Sequence, residues 1–173
     1  VVIQHGTDAY LVANEIAAAG VPVSSIVLDS PGGKLEVMDF SMKSGAILEQ
    51  AGVLTAFHTD DPVTDSRLLL RSAALAVRSG MSREGALRAL TLNGAEMLDL
   101  ADRVGSLDVG KDADLLILSG DPLSIYSHVE QTWVEGQLMF DRRRSHDRLM
   151  AEGGWGAGRD SIAREVIMME AGE

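Results

Sequence analysis

The sequence predicts an α/β fold built on a parallel sheet. Short apolar runs alternate with longer segments whose apolar residues recur at helical spacing. Strand–helix units repeated in this way favour parallel strands joined by right-handed crossovers. After residue 100 the pattern changes to short segments separated by glycines, which is typical of a β-rich part. With 46% apolar and 24% charged residues, the 173-residue chain has the composition of a globular protein.

The first strand is predicted at residues 1–4, and a helix follows with apolar positions between Leu11 and Ala19. Thr7 or Asp8 is placed to cap this helix, and Gly20 is placed to end it. Because the chain opens inside an apolar run and lacks an initiating methionine, we expect it to be a fragment of a longer protein.

Two more strand–helix units follow. The second strand is predicted within residues 21–28 and is followed by a helix over about residues 42–50. The third strand, at residues 53–58, leads to a long helix that Asp65 or Ser66 can cap and that Gly80 ends. Ser82 then opens another helix, whose apolar positions continue at helical spacing to Leu98. These strand–helix units place the parallel α/β part of the chain at residues 1–100.

The β-rich part is predicted at residues 101–141. It contains a strand at residues 114–118 and two strands that flank Glu135-Gly136, a dipeptide suited to a tight hairpin. Residues 142–173 form a charged tail with clustered glycines. This tail is predicted to be disordered up to its apolar patch at residues 166–169, and a short helix is expected near its end.

Composition excludes several kinds of function. The net charge of -11 argues against binding to nucleic acid or to an anionic membrane, since both need a basic surface. No apolar run approaches the roughly 20 residues that cross a bilayer, and no secretory signal is visible at the start. The chain has no cysteine, which excludes disulfides and zinc–thiolate sites. A cytoplasmic location is the expectation.

Two polar residues follow predicted strands and could carry chemistry. His5 comes directly after the first strand, and Asp60 follows the third. In parallel barrels functional groups lie at the carboxyl ends of strands, and imidazole and carboxylate are both ligands of hydrolytic zinc sites. Structural roles compete with this interpretation. A histidine after a strand is more often a hydrogen-bonding residue, and an aspartate before Asp61-Pro62 is more often a turn former or helix cap.

Several stretches together resemble the metal-dependent amidohydrolase superfamily. Residues 58–62, with the sequence HTDDP, and the helical segment that follows resemble the end of its barrel. Residues 84–98 resemble its helix with the pattern EEAL-x-x-T-x-N-x-A, and residues 103–115 resemble its signature G-S-I-x-x-G-K-x-A-D-L. The similarity runs from about residue 1 to residue 141 and is greatest to the imidazolonepropionase-like and prolidase-like branch.

The resemblance implies a fold and a chemistry. The chain would be the C-terminal part of a TIM-like (β/α)8 barrel, about strands 6–8, followed by strands of a small β-sandwich. His5 is similar to the histidine that binds or closely approaches the metal after the sixth strand. Asp60 is similar to the aspartate after the eighth strand, which contacts the metal and exchanges a proton with the attacking water. The implied cofactor is a divalent metal, expected to be zinc.

Two neighbouring residues are candidates for the substrate pocket. His58 shares a face with Asp60 if the strand stays extended, although a supporting role behind the ligands is the commoner one for such a histidine. Asp61 could touch substrate, but it is also well placed to cap the following loop.

The sequence departs from the superfamily in its ligand set. The His-x-His pair, the bridging lysine and the histidine of the fifth strand have no counterpart in these 173 residues. Catalytic zinc sites usually take three protein ligands, so we expect this chain alone to be inactive. The intact enzyme would cleave an amide, cyclic amide or dipeptide C–N bond with metal-activated water. The alternative is a non-catalytic chain that forms a homo-oligomer, because a partial barrel leaves open sheet edges.

Overall fold

The chain is described by a computed structural model that covers residues 1–27, 39–61 and 63–152. Its first half contains a three-stranded parallel sheet of β1 (Ile3–Gln4), β2 (Val23–Ser25) and β3 (Thr55–Phe57), in the order β1-β2-β3. Ile3 is in register with Val23, which is in register with Thr55. The predicted parallel arrangement is therefore confirmed, with strands shorter than the apolar runs suggested.

Helices connect these strands and follow the last of them. A 3-10 turn at Ala9–Val12 leads into helix α1 (Ala13–Ala19), which Gly20 ends in a left-handed conformation with φ of 65°, as predicted. Ser82 caps the fourth helix by accepting a hydrogen bond from the backbone N–H of Gly85. The helices of this half are α1 (Ala13–Ala19), α2 (Ser44–Gln50), α3 (Leu69–Arg78), α4 (Arg83–Leu90) and α5 (Leu92–Met97).

The helix predicted from Ser82 to Leu98 is two helices, so the prediction of one continuous element was wrong. Thr91 separates α4 from α5 with φ of −136° and ψ of −94°. Its hydroxyl donates to the carbonyl of Leu87 at 2.8 Å, a local bond that competes with helix propagation. Apolar spacing alone could not reveal the break, since both helices bury their small residues.

The break lets α5 protect the outer edge of the parallel sheet. Asn93, which is buried, donates its side-chain N–H to the carbonyl of Thr55 in β3 at 2.8 Å. Strand edges expose unpaired backbone groups, and a side-chain donor satisfies one of them. Asn93 therefore anchors α5 against the strand that precedes Asp60.

The second half contains an antiparallel sheet of β4 (Leu115–Leu118), β5 (Val129–Val134) and β6 (Gln137–Asp141), in the order β4-β5-β6. Glu135 and Gly136 join β5 to β6 with φ values of 49° and 75°. Two consecutive positive φ angles are the requirement of a type I′ turn, so the predicted hairpin is confirmed.

The tail contains a helix at its start, so the prediction of disorder was wrong for residues 145–152. Helix α6 (Ser145–Glu152) follows β6 directly. Two contacts hold its ends: the Asp147 carboxylate accepts the backbone N–H of Asp141 at 2.9 Å, and Glu152 pairs with Arg142. These contacts depend on the hairpin, so they were not visible in the local pattern. The short helix expected near residues 166–169 lies outside the described residues.

Apolar side chains of the parallel sheet and its helices form two buried clusters. One lies around Val23 and Leu48, both fully buried, and packs α1 and α2 together. The other lies around Phe57 and joins α2, α3 and α4. No helix within the described ranges is both long and apolar enough to cross a membrane.

Candidate functional site

His5 and Asp60 meet at the carboxyl edge of the parallel sheet. The Nε2 atom of His5 lies 3.5 Å from Oδ2 of Asp60, and both side chains are about half exposed to solvent. The two residues come from the ends of β1 and β3, the outer strands of the sheet, and reach towards each other across the end of β2. The structure thus brings together the two residues that the sequence placed at strand ends.

Both residues have an unusual backbone conformation. His5 has φ of 57° and Asp60 has φ of 50°, values that only a few per cent of non-glycine residues adopt. In each case the chain leaves its strand in this left-handed turn, which directs the side chain over the sheet edge. Left-handed non-glycine residues cost energy and often occur at functional sites, so their presence at both candidates supports a shared role.

His58 is the third polar side chain at this site and contacts His5. Its ring stacks on the ring of His5 with centroids 4.9 Å apart and planes inclined by 19°. Its Nδ1 atom lies 2.7 Å from Oγ of Ser24 in β2, and its Nε2 atom lies 3.4 Å from the side-chain nitrogen of Gln4. Because Asp60 turns left-handed, residues 58 and 60 do not share the face of one extended strand, yet both adjoin His5.

The surroundings of His58 favour its neutral form. Burial lowers the pKa of His58 below its ordinary value of 6.5, the nearby His5 lowers it further, and Asp60 opposes this by raising it. A neutral imidazole has one nitrogen that donates and one that accepts. His58 therefore offers a directional hydrogen-bonding group rather than a charge.

Asp61 makes the capping contact that was the alternative to substrate contact. Its Oδ2 atom accepts hydrogen bonds from the backbone N–H of Ser66 at 3.0 Å and from the Ser66 hydroxyl at 2.6 Å. Asp65 then caps the 3-10 turn Ser66–Leu68 that leads into α3. The carboxylate of Asp61 thereby fixes the loop between Asp60 and α3.

The donor types fit a divalent metal, but the set is incomplete. An imidazole nitrogen and a carboxylate oxygen are suitable zinc ligands. Within residues 1–27, 39–61 and 63–152, however, no group of three or more histidine, aspartate or glutamate side chains could hold a metal ion. His5 and Asp60 can therefore contribute two ligands to a site that needs at least one more.

Sequence analysis missed Gln4 and Ser24. Both contact His58, but one lies in β1 and the other in β2, far from it in sequence. Only the strand register reveals the contact, since Ser24 pairs with Ala56, two residues before His58. A separate cavity of about 530 Å³ lies between α3, α6 and the antiparallel sheet, and its lining includes none of these residues.

Comparison with known proteins places the chain in a family. The sequence model described as the amidohydrolase family matches residues 13–140. The chain belongs to the amidohydrolase family. It is 30% identical over 115 residues to imidazolonepropionase of Thermoplasma volcanium, a match that covers 62% of this chain and 28% of that protein.

Solved amidohydrolase structures share the fold. An amidohydrolase from Thermotoga maritima is 40% identical and superposes with a TM-score of 0.78, covering 82% of this chain and 37% of its own. An adenosine deaminase from Xanthomonas campestris, solved with bound zinc, is 26% identical with a TM-score of 0.62, covering 94% of this chain and 42% of its own. The chain therefore spans less than half the length of each of these relatives.

Proposed function

We propose that these residues form part of the active site of a metal-dependent hydrolase that cleaves C–N bonds. The observation that carries the proposal is the approach of His5 Nε2 to Asp60 Oδ2 at the carboxyl edge of the parallel sheet. In this proposal β1, β2 and β3 correspond to strands 6–8 of a (β/α)8 barrel, and the antiparallel sheet is part of a small sandwich. The substrate is an amide, a cyclic amide or a dipeptide.

A divalent metal, zinc in this proposal, would be held by His5 and Asp60 together with ligands from polypeptide outside these 173 residues. When bound, such an ion supplies Lewis acidity and brings the pKa of water towards neutrality. The bound zinc of the Xanthomonas campestris relative supports this choice of ion. The 173-residue chain alone lacks activity in this proposal, because its described residues supply too few ligands.

Asp60 carries the proton in the proposed reaction. Its side chain is about half exposed at the carboxyl end of β3, where it can accept a proton from the attacking water. The same carboxyl group then returns that proton to the nitrogen of the leaving amine. His5 orients Asp60 and holds its own Nε2 towards the same point. Asp61 supports the site by fixing the loop that follows.

Zinc titration of the purified chain tests the ligand assignment. We expect weak binding by isothermal titration calorimetry that His5→Ala and Asp60→Ala each reduce at least tenfold, equivalent to about 1.4 kcal/mol. His128→Ala is the matched control, because His128 directly precedes β5 and contacts Ser119 and Glu130 instead. Unchanged zinc affinity in both the His5→Ala and the Asp60→Ala variant would show that these two residues are not zinc ligands.

A longer protein from the parent gene tests the reaction. If it contains a His-x-His strand before residue 1, we expect it to bind a divalent ion and to hydrolyse amides, cyclic amides or dipeptides. Asp60→Asn should then abolish turnover while leaving the fold intact, since the amide is nearly the same size as the carboxylate. A full-length parent that binds no divalent ion would overturn the proposal.

A further inference from the structure

Ser119, His128 and Glu130 form a hydrogen-bonded chain where β4 ends and β5 begins. Oγ of Ser119 lies 3.2 Å from Nδ1 of His128, and Nε2 of His128 lies 2.9 Å from Oε1 of Glu130. A carboxylate only accepts hydrogen bonds, so the Nε2–H of a neutral His128 donates to Glu130. Nδ1 then carries the lone pair, and the Ser119 hydroxyl donates to it. This is the order of a nucleophile, a general base and a group that orients the base.

The backbone holds these three groups in place. Ser119 follows β4 and His128 precedes β5, and the backbone N–H of Ser119 donates to the carbonyl of His128 at 3.0 Å. The backbone N–H of His128 donates in turn to Oγ of Ser119 at 3.0 Å, which orients the hydroxyl group. Glu130 is the extra residue of a bulge in the pairing of β5 with β4. Bulges often occur next to active sites, where they redirect a side chain.

An apolar cavity adjoins the three residues. Ser119 and His128 are both exposed, and His128 lies in the wall of the cavity of about 530 Å³ between α3, α6 and the antiparallel sheet. Much of the remaining wall is apolar and includes Leu123 and Phe140. Cavities of roughly 300–1,000 Å³ with such a lining are typical of small-molecule sites. Among the described residues the backbone N–H of Gly120 has no acceptor, and the N–H that follows a nucleophilic serine commonly stabilises an oxyanion.

From this arrangement we propose that Ser119, His128 and Glu130 form a second reactive centre, which hydrolyses esters that have a short apolar acyl group. The acyl group occupies the cavity beside His128. Oγ of Ser119 bonds to the carbonyl carbon while its proton passes to Nδ1 of His128, and that proton then passes to the alkoxide that departs as the C–O bond breaks. Water attacks the acyl-serine in the same way, which releases the acid and returns the proton to Ser119. Glu130 is the positioning residue of His128.

An alkyl fluorophosphonate tests the nucleophile in the full 173-residue chain. We expect Oγ of Ser119 to bond to phosphorus as fluoride departs, giving one adduct that peptide mass spectrometry locates. Ser119→Ala should abolish this adduct. Ser106→Ala is the matched control and should label like the wild type, because the Ser106 hydroxyl contacts Asp108 and Lys111 rather than an imidazole. Labelling spread over several serines, or absent from Ser119, would overturn the proposal.

Chemical rescue tests the general base. His128→Ala should slow the labelling by on the order of a hundredfold, a usual contribution of a general base. Added imidazole should restore much of the lost rate, an effect that a purely structural role for His128 would not produce. The His128 side chain is 44% exposed, so the variant is expected to fold, which circular dichroism checks. A folded variant that labels at the wild-type rate would show that His128 is not the base.

Hydrolysis of p-nitrophenyl butanoate tests the reaction and the role of Glu130. The amide oxygen of Glu130→Gln still accepts the Nε2–H of His128 but carries no charge, so kcat should fall while KM stays close to the wild-type value. A wild-type chain that releases p-nitrophenolate no faster than Ser119→Ala, or a Glu130→Gln variant with unchanged kcat, would overturn the corresponding role. All assays contain a metal chelator, so their outcome is independent of the zinc site proposed at His5 and Asp60.

Discussion

Gly6 keeps His5 in position because position 6 has no room for a side chain. A Cβ atom there would lie 2.7 Å from Cγ1 of Val23 and 3.1 Å from Cβ of Ala9. Val23 is fully buried in the sheet, so it cannot move aside cheaply. The left-handed turn at His5 is thus followed by a residue packed directly on the neighbouring strand.

Gly6→Ala should destabilise the chain by about 1–3 kcal/mol, the usual cost of overpacking a filled core. The measurement is the free energy of unfolding in urea. Gly94→Ala is the matched control, because a Cβ at this helical position meets no atom within 4 Å and alanine should stabilise α5 by about 0.5–1 kcal/mol. Equal effects of the two substitutions would contradict the packing argument.

The sequence predicted the candidate residues that follow strands, but not those that support them. His5 and Asp60 could be identified because the apolar runs before them mark strand ends. Ser24 and Gln4 lie inside strands, where a polar side chain on its own does not indicate a partner. Their contacts with His58 depend on strand register, which local periodicity does not encode.

Ser82, at the beginning of α4, connects this helix to α2. The Ser82 hydroxyl accepts the backbone N–H of Gly85 and donates to the carboxylate of Glu49 at the end of α2. Glu49 also accepts the backbone N–H of Ser82 at 2.7 Å. The cap therefore ties α4 to α2 as well as starting the helix.

Ser82→Ala should cost about 0.5–2 kcal/mol of stability, since it removes a helix cap. Thermal unfolding followed by circular dichroism measures this loss. Ser79→Ala serves as the control, because this serine follows α3 as its C-cap and its substitution should change stability by less than about 0.5 kcal/mol. A larger loss of stability in Ser79→Ala than in Ser82→Ala would show that the N-cap at Ser82 contributes little to stability.

The stability that Asp65 contributes at the start of α3 should depend on pH. Hydrogen bonds from the Arg67 side chain and backbone lower the pKa of Asp65 from 3.8 to about 2. A carboxyl group whose pKa is lowered by folding stabilises the native state above its ordinary pKa. That contribution is present at neutral pH and is lost as the pH falls from about 4 to about 2.

Asp65→Asn should therefore flatten the loss of stability between about pH 4 and pH 2, because the variant has no proton to take up at this position. Both side chains are partly exposed, so solvent screening keeps the effect modest. Urea unfolding at a series of pH values provides the measurement. Asp102→Asn controls for the loss of one negative charge at an exposed position, and an identical pH profile for the two variants would contradict the assignment.

Helix and strand boundaries show where local pattern stops being informative. Gly20 and Ser82 were identified correctly because a left-handed C-cap and a hydroxyl N-cap are local requirements. The break at Thr91 coincides with a local hydrogen bond from its hydroxyl to the Leu87 carbonyl, and Asn93 then holds α5 against β3. The start of α6 is held by a tertiary contact, that of Asp147 with the end of β6. Apolar periodicity reports neither kind of hydrogen bond.

Across the whole molecule, two sheets expose surfaces that are suited to association. Among the described residues β1 and β4 are edge strands, and such an edge presents backbone groups that no neighbouring strand pairs. In β4, Leu116 and Ile117 are both nearly half exposed, although apolar residues in a sheet usually face a core. The chain therefore combines open backbone edges with exposed apolar side chains.

We expect the purified chain to form dimers or larger oligomers, because association would cover these edges and side chains. Light scattering coupled to size-exclusion chromatography over a range of concentrations measures the mass. Leu116→Lys should shift the distribution towards monomer, since a lysine on an edge strand opposes pairing. Leu98→Lys, at an exposed leucine that follows α5, should leave the mass unchanged. A wild-type chain that remains a folded monomer at every concentration would show that these edges tolerate solvent without a partner.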